Sequence, residues 1–303
     1  MSRRDEPPRT VPIPGPGGRY GDRPMARNVR LRELLIGVEG LALLRGLHDG
    51  SETAADARLA EVRRLLADDG LALAEPVHEA SPRSGYGAWA ETYDEPGNPI
   101  IALEEPAVWA LLDEPAPGRA LDAACGTGRH ARRLVALGHD VVGIDLAPAM
   151  LARAAANVPE ASFREADLRD IPAPDGSFDL VVCALALAHV AELGPAASEL
   201  ARVMRSAALL VVSVLHPLQA QLGWQARFAA AGQRAFVREH PHTHADYLAA
   251  FRAAGLALRD CIEVRLTVSQ VRSLRRAFAH IPEATVAAYA GLPAVLILGL
   301  EKG

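Results

Sequence analysis

Apolar and polar positions alternate along this chain in two different rhythms. From Asn28, "NVRLRELLIGVEGLALLRGLHDG" places Leu31, Leu34, Leu35, Val38, Leu41 and Leu44 at three- and four-residue spacing before Gly50, which predicts an amphipathic helix. A second helix follows, with Thr53 expected as its N-cap, Ala57, Val62, Leu65 and Leu66 on one face, and "DDG" at 68–70 as its stop. After a Pro- and Gly-broken connection holding "YGAWAETYDEPGNPI", short apolar runs take over from Arg119: "RALDAAC", "HDVVGID", "ASFREAD", "FDLVVCALALAHV" and "AALLVVSVLHP". Helix-period stretches are interspersed among them, "GRHARRLVALG", "APAMLARAAANV" and "AASELARVMRS". This alternation predicts an α/β fold with a mostly parallel, doubly wound sheet, whose ligands sit outside the carboxyl ends of the strands. A long interruption, "LQAQLGWQARFAAAGQRAFVREHPHTH", then precedes a helix, "HADYLAAFRAAGL", and two strands, "LRDCIEVRLTV" and "AVLILGLEK", expected as an antiparallel pair at the sheet edge.

These rhythms divide the chain. Residues 1–26, rich in Pro and Gly, read as a disordered tail; 27–84 as an N-terminal helical appendage; 85–303 as the main domain, with a lid-like insertion at about 217–243. The appendage is too small to hold much core alone, so it is expected to pack on the main domain or to form a homodimer with a second copy. No apolar run approaches the roughly 18 residues of a bilayer helix, and the N-terminus lacks an apolar signal segment, so no membrane association and a soluble, cytoplasmic protein are expected. The formal charge of −5 speaks against a nucleic-acid partner, which needs clustered cations. Cys125, Cys183 and Cys261 show no metal or disulfide spacing. Lys302 is the single lysine against 31 arginines, which leaves neither a Walker loop nor a Schiff-base lysine a plausible place.

The candidate chemistry starts at "LDAACGTGRH", 121–130. Gly126, Gly128 and Ala131 fit the turn that holds a dinucleotide pyrophosphate, and fit equally a loop that holds the methionine end of S-adenosylmethionine (SAM). Asp122, four residues before Gly126, favours the second, because an acid at the strand end suits a cationic ligand and not a pyrophosphate. Asp145, 19 residues after Gly126, is placed for ribose hydroxyls under either reading. Asp167, at the end of the third strand, adds an acceptor for an adenine amine.

"LDAACGTG", "VVGIDLAPAML", "READLRDIPAPDGSFDLVVCALALAHV" and "ELARVMR" resemble, in order, the motifs of class I SAM-dependent methyltransferases over roughly residues 85–303. The resemblance implies a seven-stranded Rossmann-like sheet with strand seven antiparallel between five and six, and SAM as cofactor. It implies that Asp122, Ala124, Gly126 and Gly128 line the methionine part of SAM, Asp145 and Leu146 the ribose and adenine edge, and Asp167 with Leu168 the adenine. Met150 is expected to stack on adenine, Ala184 to stand beside the cofactor, and Tyr86 or Tyr93 to close over it. Two places depart from the family pattern: Ala124 stands where a glycine is usual, and "MRSAALL" replaces a Pro-Gly-Gly turn.

Methyl transfer asks the protein for positioning and, where the nucleophile is weak, a base. His189 and His216, after the fourth and fifth strands, are the first candidates by topology, followed by His244 and Tyr93. "HPHTH" offers alternating histidines without an evident carboxylate partner, so no metal is expected. The partner is expected to be a small-molecule acceptor; the whole chain resembles tailoring methyltransferases of bacterial secondary metabolism, and "VRLRELLIGVEGLALLRGL" with this core resembles enzymes that methylate indole C3 of tryptophan-derived diketopiperazines, forming a pyrroloindoline. An O- or N-methyltransferase of another aromatic metabolite and a non-catalytic regulator with this fold stand as alternatives.

Overall fold

The computed structural model describes residues 27–95, 98–230 and 232–303, so the expected tail lies outside the described residues. The chain opens with β1 (Arg27–Arg30), α1 (Leu31–Arg45), α2 (Glu52–Ala67), β2 (Ala74–Ala80), α3 (Pro82–Trp89) and α4 (Pro99–Leu112). The alternating part follows: β3 (Arg119–Ala123), α5 (Arg129–Ala136), β4 (Asp140–Asp145), α6 (Pro148–Asn157), β5 (Ser162–Glu165), β6 (Phe178–Ala184), α7 (Leu193–Val203) and β7 (Met204–Leu215). The last third comprises α8 (Pro217–Gln221), β8 (Ala226–Ala230), β9 (Gln233–Val237), α9 (His244–Ala253), β10 (Leu256–Arg265), α10 (Val268–Arg272), α11 (Arg275–Phe278), α12 (Pro282–Tyr289) and β11 (Pro293–Lys302).

Seven strands form one sheet in the order β10-β11-β7-β6-β3-β4-β5. Neighbours from β7 to β5 run parallel, while β11 lies antiparallel to both β10 and β7, in the place expected for strand seven. The apolar runs of the central strands are continuous because both faces are covered. Val182, Val211 and Ile297 turn to one core with α1, α4 and α12, whereas Val181, Val212 and Leu298 turn to the other with α7 and α9. Alternate side chains thus supply two cores from one set of strands. No described helix is long and apolar enough to cross a membrane.

The appendage differs from the helical unit expected. It contributes β1 and β2 as well as its helices, and β2 pairs in parallel with β9 of the insertion, giving a second sheet in the order β1-β2-β9-β8. Backbone groups of two sequence-distant segments therefore satisfy each other, a pairing that neither segment signals by itself. Leu35, Val38 and Ala42 of α1 are buried in the main core beside Ala288 and Tyr289 of α12, so the apolar face that called for a partner finds it within the chain. Leu44, at 71% exposure, and Leu66 stay outside. The second helix starts two residues earlier than expected: Ser51, not Thr53, is the cap, its extended backbone letting Oγ accept from the Ala54 amide at 3.1 Å.

Both departures from the family glycine pattern coincide with left-handed backbone. Ala124 has φ 60° and Ala207, within "MRSAALL", has φ 59°. A Cβ in this region costs roughly 1–2 kcal/mol, partly offset by the larger unfolded-state entropy of glycine. Ala207→Gly is expected to stabilise the protein by about 0.5–1 kcal/mol, a rise of roughly 1–4 °C in Tm for a chain this size. A thermal melt with no rise would count against strain at this turn.

Candidate active site

The glycine turn leaves β3 and enters α5 with its backbone tied at both ends: the Cys125 amide donates to the Ile144 carbonyl at 2.8 Å and that of Gly128 to the Cys125 carbonyl at 2.9 Å. Gly126 has φ 54°, and a Cβ there would meet nothing within 4 Å, so the space above it is open to a ligand. Gly128, φ 84°, has a different reason: a Cβ would press on Val158 and Ala154 at 3.2–3.3 Å. It permits α5 to pack on α6 and is itself buried, whereas it was expected to line the ligand.

Asp122 is 1% exposed. Its Oδ2 accepts from the Ala131 amide at 2.8 Å, while its Oδ1 is buried with no partner among the described residues. Burial pushes its carboxyl up to about 6, against the pull of His130. A buried acid with one unused oxygen is what a cationic ligand group would complete. Asp145 shapes the turn directly, since the Gly126 amide donates to its Oδ2 at 2.9 Å and the Ala147 amide to its Oδ1 at 2.8 Å. Each of its oxygens keeps a further lone pair for a ribose hydroxyl. Asp167 is less free: Arg169 grips both its oxygens at 2.6–2.9 Å and holds its pKa down. Leu146, Leu168 and Ala184 are half-buried at the strand ends. Met150, expected against adenine, is fully buried with Ala90 and Ala147 under Tyr86 and Tyr93, because α6 is clamped there by the connection carrying α3.

A second carboxylate centre supports the turn from below. Glu104 of α4 is fully buried and accepts from Arg129 Nη1 at 2.6 Å, Ser213 Oγ at 2.8 Å and His130 Nε2 at 3.1 Å. Burial alone would raise its pKa, but His130 and Arg129 outweigh it and hold the carboxyl down at about 2.

On the other side of Tyr86 and Tyr93 lies a cavity of about 600 Å³. These two rings line it together with Leu185 and Leu215 at the ends of β6 and β7, whereas Asp122 and Asp145 do not. Trp89 stacks on Phe228 at 5.4 Å between centroids and on Tyr86 at 5.8 Å, making a continuous aromatic wall. The insertion contributes Phe228 to this wall from an edge hairpin, β8–β9.

The histidines separate into two groups. His189, in a short turn after β6, has its Nδ1 on the Arg238 carbonyl at 2.7 Å, which fixes that proton; Nε2 then accepts from the Tyr86 hydroxyl at 2.7 Å. Burial lowers its pKa to about 4. Both nitrogens are engaged, so His189 orients Tyr86 and is not a free base. Tyr93 is pushed up to about 12, chiefly by burial. His216 and His244 meet elsewhere, on Glu263 of β10 at 3.1 and 3.2 Å. These three groups could hold a metal by spacing alone. The Leu218 amide donates to His216 Nδ1 at 3.1 Å, however, which places that ring's proton on Nε2, where it meets Glu263.

Glu239 escaped the sequence reading, hidden in "VREHPHTH" among histidines that drew attention. It lines the cavity, its Oε1 lies 3.7 Å from His189 Nε2, and its Oε2 is buried without a partner among the described residues. Burial pushes it up to about 8.

Residues 121–212 match the family model described as Methyltransferase domain. Among similar proteins, a demethylmenaquinone methyltransferase of Thermus thermophilus is 44% identical over 113 residues, 35% of this chain and 51% of that one. A malonyl-[acyl-carrier protein] O-methyltransferase of Yersinia pestis is 37% identical over 146 residues, 46% of this chain and 52% of that one. The chain spans about half the length of these relatives. A solved S-adenosylmethionine dependent methyltransferase from Mesorhizobium loti superposes with a TM-score of 0.51 at 25% identity, covering 66% of this chain and 98% of that one. The large sheet, with its one antiparallel strand, is thus the Rossmann-like methyltransferase fold.

The raised carboxyls set a pH dependence. A carboxyl whose pKa rises on folding contributes stability that is complete below its unfolded value, near 4.3, and is lost as pH climbs through its folded value. For Asp122 that loss is over by about pH 6, and for Glu239 it extends through about 8. Glu239→Gln is therefore expected to flatten the decline in Tm between about pH 6 and 8; parallel melting curves for the two proteins would contradict the assignment.

Proposed function

We propose that this chain is a SAM-dependent methyltransferase that methylates a small acceptor held in the aromatic cavity. The observation that carries this reading is the set at the ends of β3 and β4: a buried Asp122 with an unused oxygen, open space over Gly126, and Asp145 beside both. These groups fit the ammonium and ribose ends of SAM, which when bound supplies a methyl group already activated by its sulfonium.

The protein's share is then orientation, exclusion of water and proton removal. Asp122 would receive the cofactor's cationic end and Asp145 its ribose. Tyr86 and Tyr93, which line the cavity, would hold the two reactants face to face, with His189 fixing the Tyr86 hydroxyl. Glu239 would take the proton released by the nucleophile, since it lines the cavity and its Oε2 has no other partner among the described residues. The stack of Trp89 and Phe228 suits a flat acceptor such as an indole; C3 of a tryptophan diketopiperazine is the narrowest form of the proposal, with oxygen or nitrogen of another aromatic as the broader one. His216 and His244 have no part in this scheme.

Isothermal titration is expected to detect SAM and S-adenosylhomocysteine, and absence of both would remove the proposal. Asp122→Asn keeps an acceptor for the Ala131 amide but loses the charge, so SAM affinity is expected to fall on the order of 10-fold or more with little change in Tm. In turnover with any acceptor found by screening, kcat/KM should rise with pH toward about 8 as Glu239 ionises, and Glu239→Gln should abolish that limb. A rise that survives the substitution would assign the base elsewhere.

A further inference from the structure

The cavity has a charge imbalance that the methyl-transfer reading does not use. Four arginines line it, Arg227, Arg234, Arg275 and Arg276, against one carboxyl, Glu239. Two of the cations share one anion outside the cavity: Arg234 pairs with Glu75, and Arg276 meets the same Glu75 oxygen at 2.9 Å. Glu239, raised to about 8, is mostly uncharged at neutral pH and offsets little. The side chain of Arg227 in β8 makes no hydrogen bond or ion pair among the described residues.

Its surroundings make that lack of a partner informative. A solvated surface arginine points away from like charge, but Arg227 faces Arg276 and the Tyr289 ring. Its side chain is exposed where it lines the cavity, and the protein around the guanidinium, with Arg276 beside it, disfavours its own charge. Tyr289 and Trp224 meet edge to face at 5.5 Å and line the cavity with Arg227, so aromatic surface lies near the guanidinium. A planar, permanently charged fork next to apolar rings is the arrangement that receives a carboxylate, sulfonate or phosphate in two parallel hydrogen bonds.

We propose that the cavity takes an aromatic ligand bearing an acid group, with Arg227 receiving the anion and the ring lying on the aromatic wall. That this ligand is the methyl acceptor rests on the methyltransferase reading; the anion site itself does not. A neutral diketopiperazine leaves the excess positive charge uncompensated, so an acid-bearing acceptor fits the cavity better.

The test compares two fluorescent probes that share a ring system, 1-anilinonaphthalene-8-sulfonate and N-phenyl-1-naphthylamine, titrated into the full chain. Arg227→Gln is expected to weaken the sulfonate about 10-fold, roughly 1.4 kcal/mol, and to leave the neutral probe unchanged, with Arg227→Lys in between. Three results each overturn the proposal: equal losses for the two probes, an unchanged sulfonate affinity, or no binding of the sulfonate to the wild-type chain. Titration of SAM into the same variants separates the readings. A sulfonate response at Arg227 in a chain that takes up no SAM keeps the anion site and removes methyl transfer, and SAM uptake with an indifferent Arg227 does the reverse.

Discussion

A carboxylate without water must be met by donors, and Glu104 is where most of this architecture answers that demand. Its oxygens receive Arg129 and His130 from the start of α5 and Ser213 from β7, 109 residues away in sequence. The helix that follows the glycine turn is thereby locked to α4 on one side and to the middle of the sheet on the other. Removing one partner of such a set leaves charge buried without compensation, at a cost of about 3–5 kcal/mol in comparable cases. The turn's shape, and with it the space over Gly126, depends on this anchorage from below and on Asp145 from the side.

The same physics has the opposite outcome at two carboxyls nearby. Asp122 and Glu239 are as buried as Glu104 in character, yet neither accepts a hydrogen bond from Arg129 or His130, so burial raises their pKa values where those two groups lower that of Glu104. Three carboxyls in one region thus divide into one held as an anion and two whose protonated forms are favoured. Glu239 lines the cavity with Tyr86, Trp89 and Phe228, whereas Asp122 does not.

The accessory sheet explains why the appendage and insertion belong together. β9 has backbone groups that β8 alone cannot satisfy, and β2 pairs with its other edge. Glu79 binds Arg238 across that junction, while Glu75 ties Arg234 and Arg276. The cavity therefore has walls from the N-terminal segment, the insertion and the helices before β11, which explains how a single ligand space draws on parts of the chain some 200 residues apart.

By itself the sequence determined the alternating core, the place of the antiparallel strand through its family resemblance, and Asp122, Gly126 and Asp145 as a set. Those are local matters: hydrophobic period marks strands and helices, and acids at strand ends fall at fixed spacings from a turn. Only the tertiary structure decided that Gly128 serves helix packing, that Met150 is buried, that His189 is consumed by Tyr86 from 103 residues away, and that His216 and His244 belong to Glu263. Glu104 and Arg227 carried no signal in the chain because nothing in their neighbours along it is unusual, and Glu239 was masked by the histidines that follow it. A side chain's charge state and availability depend on which distant groups surround it, and that is settled only when the chain is folded.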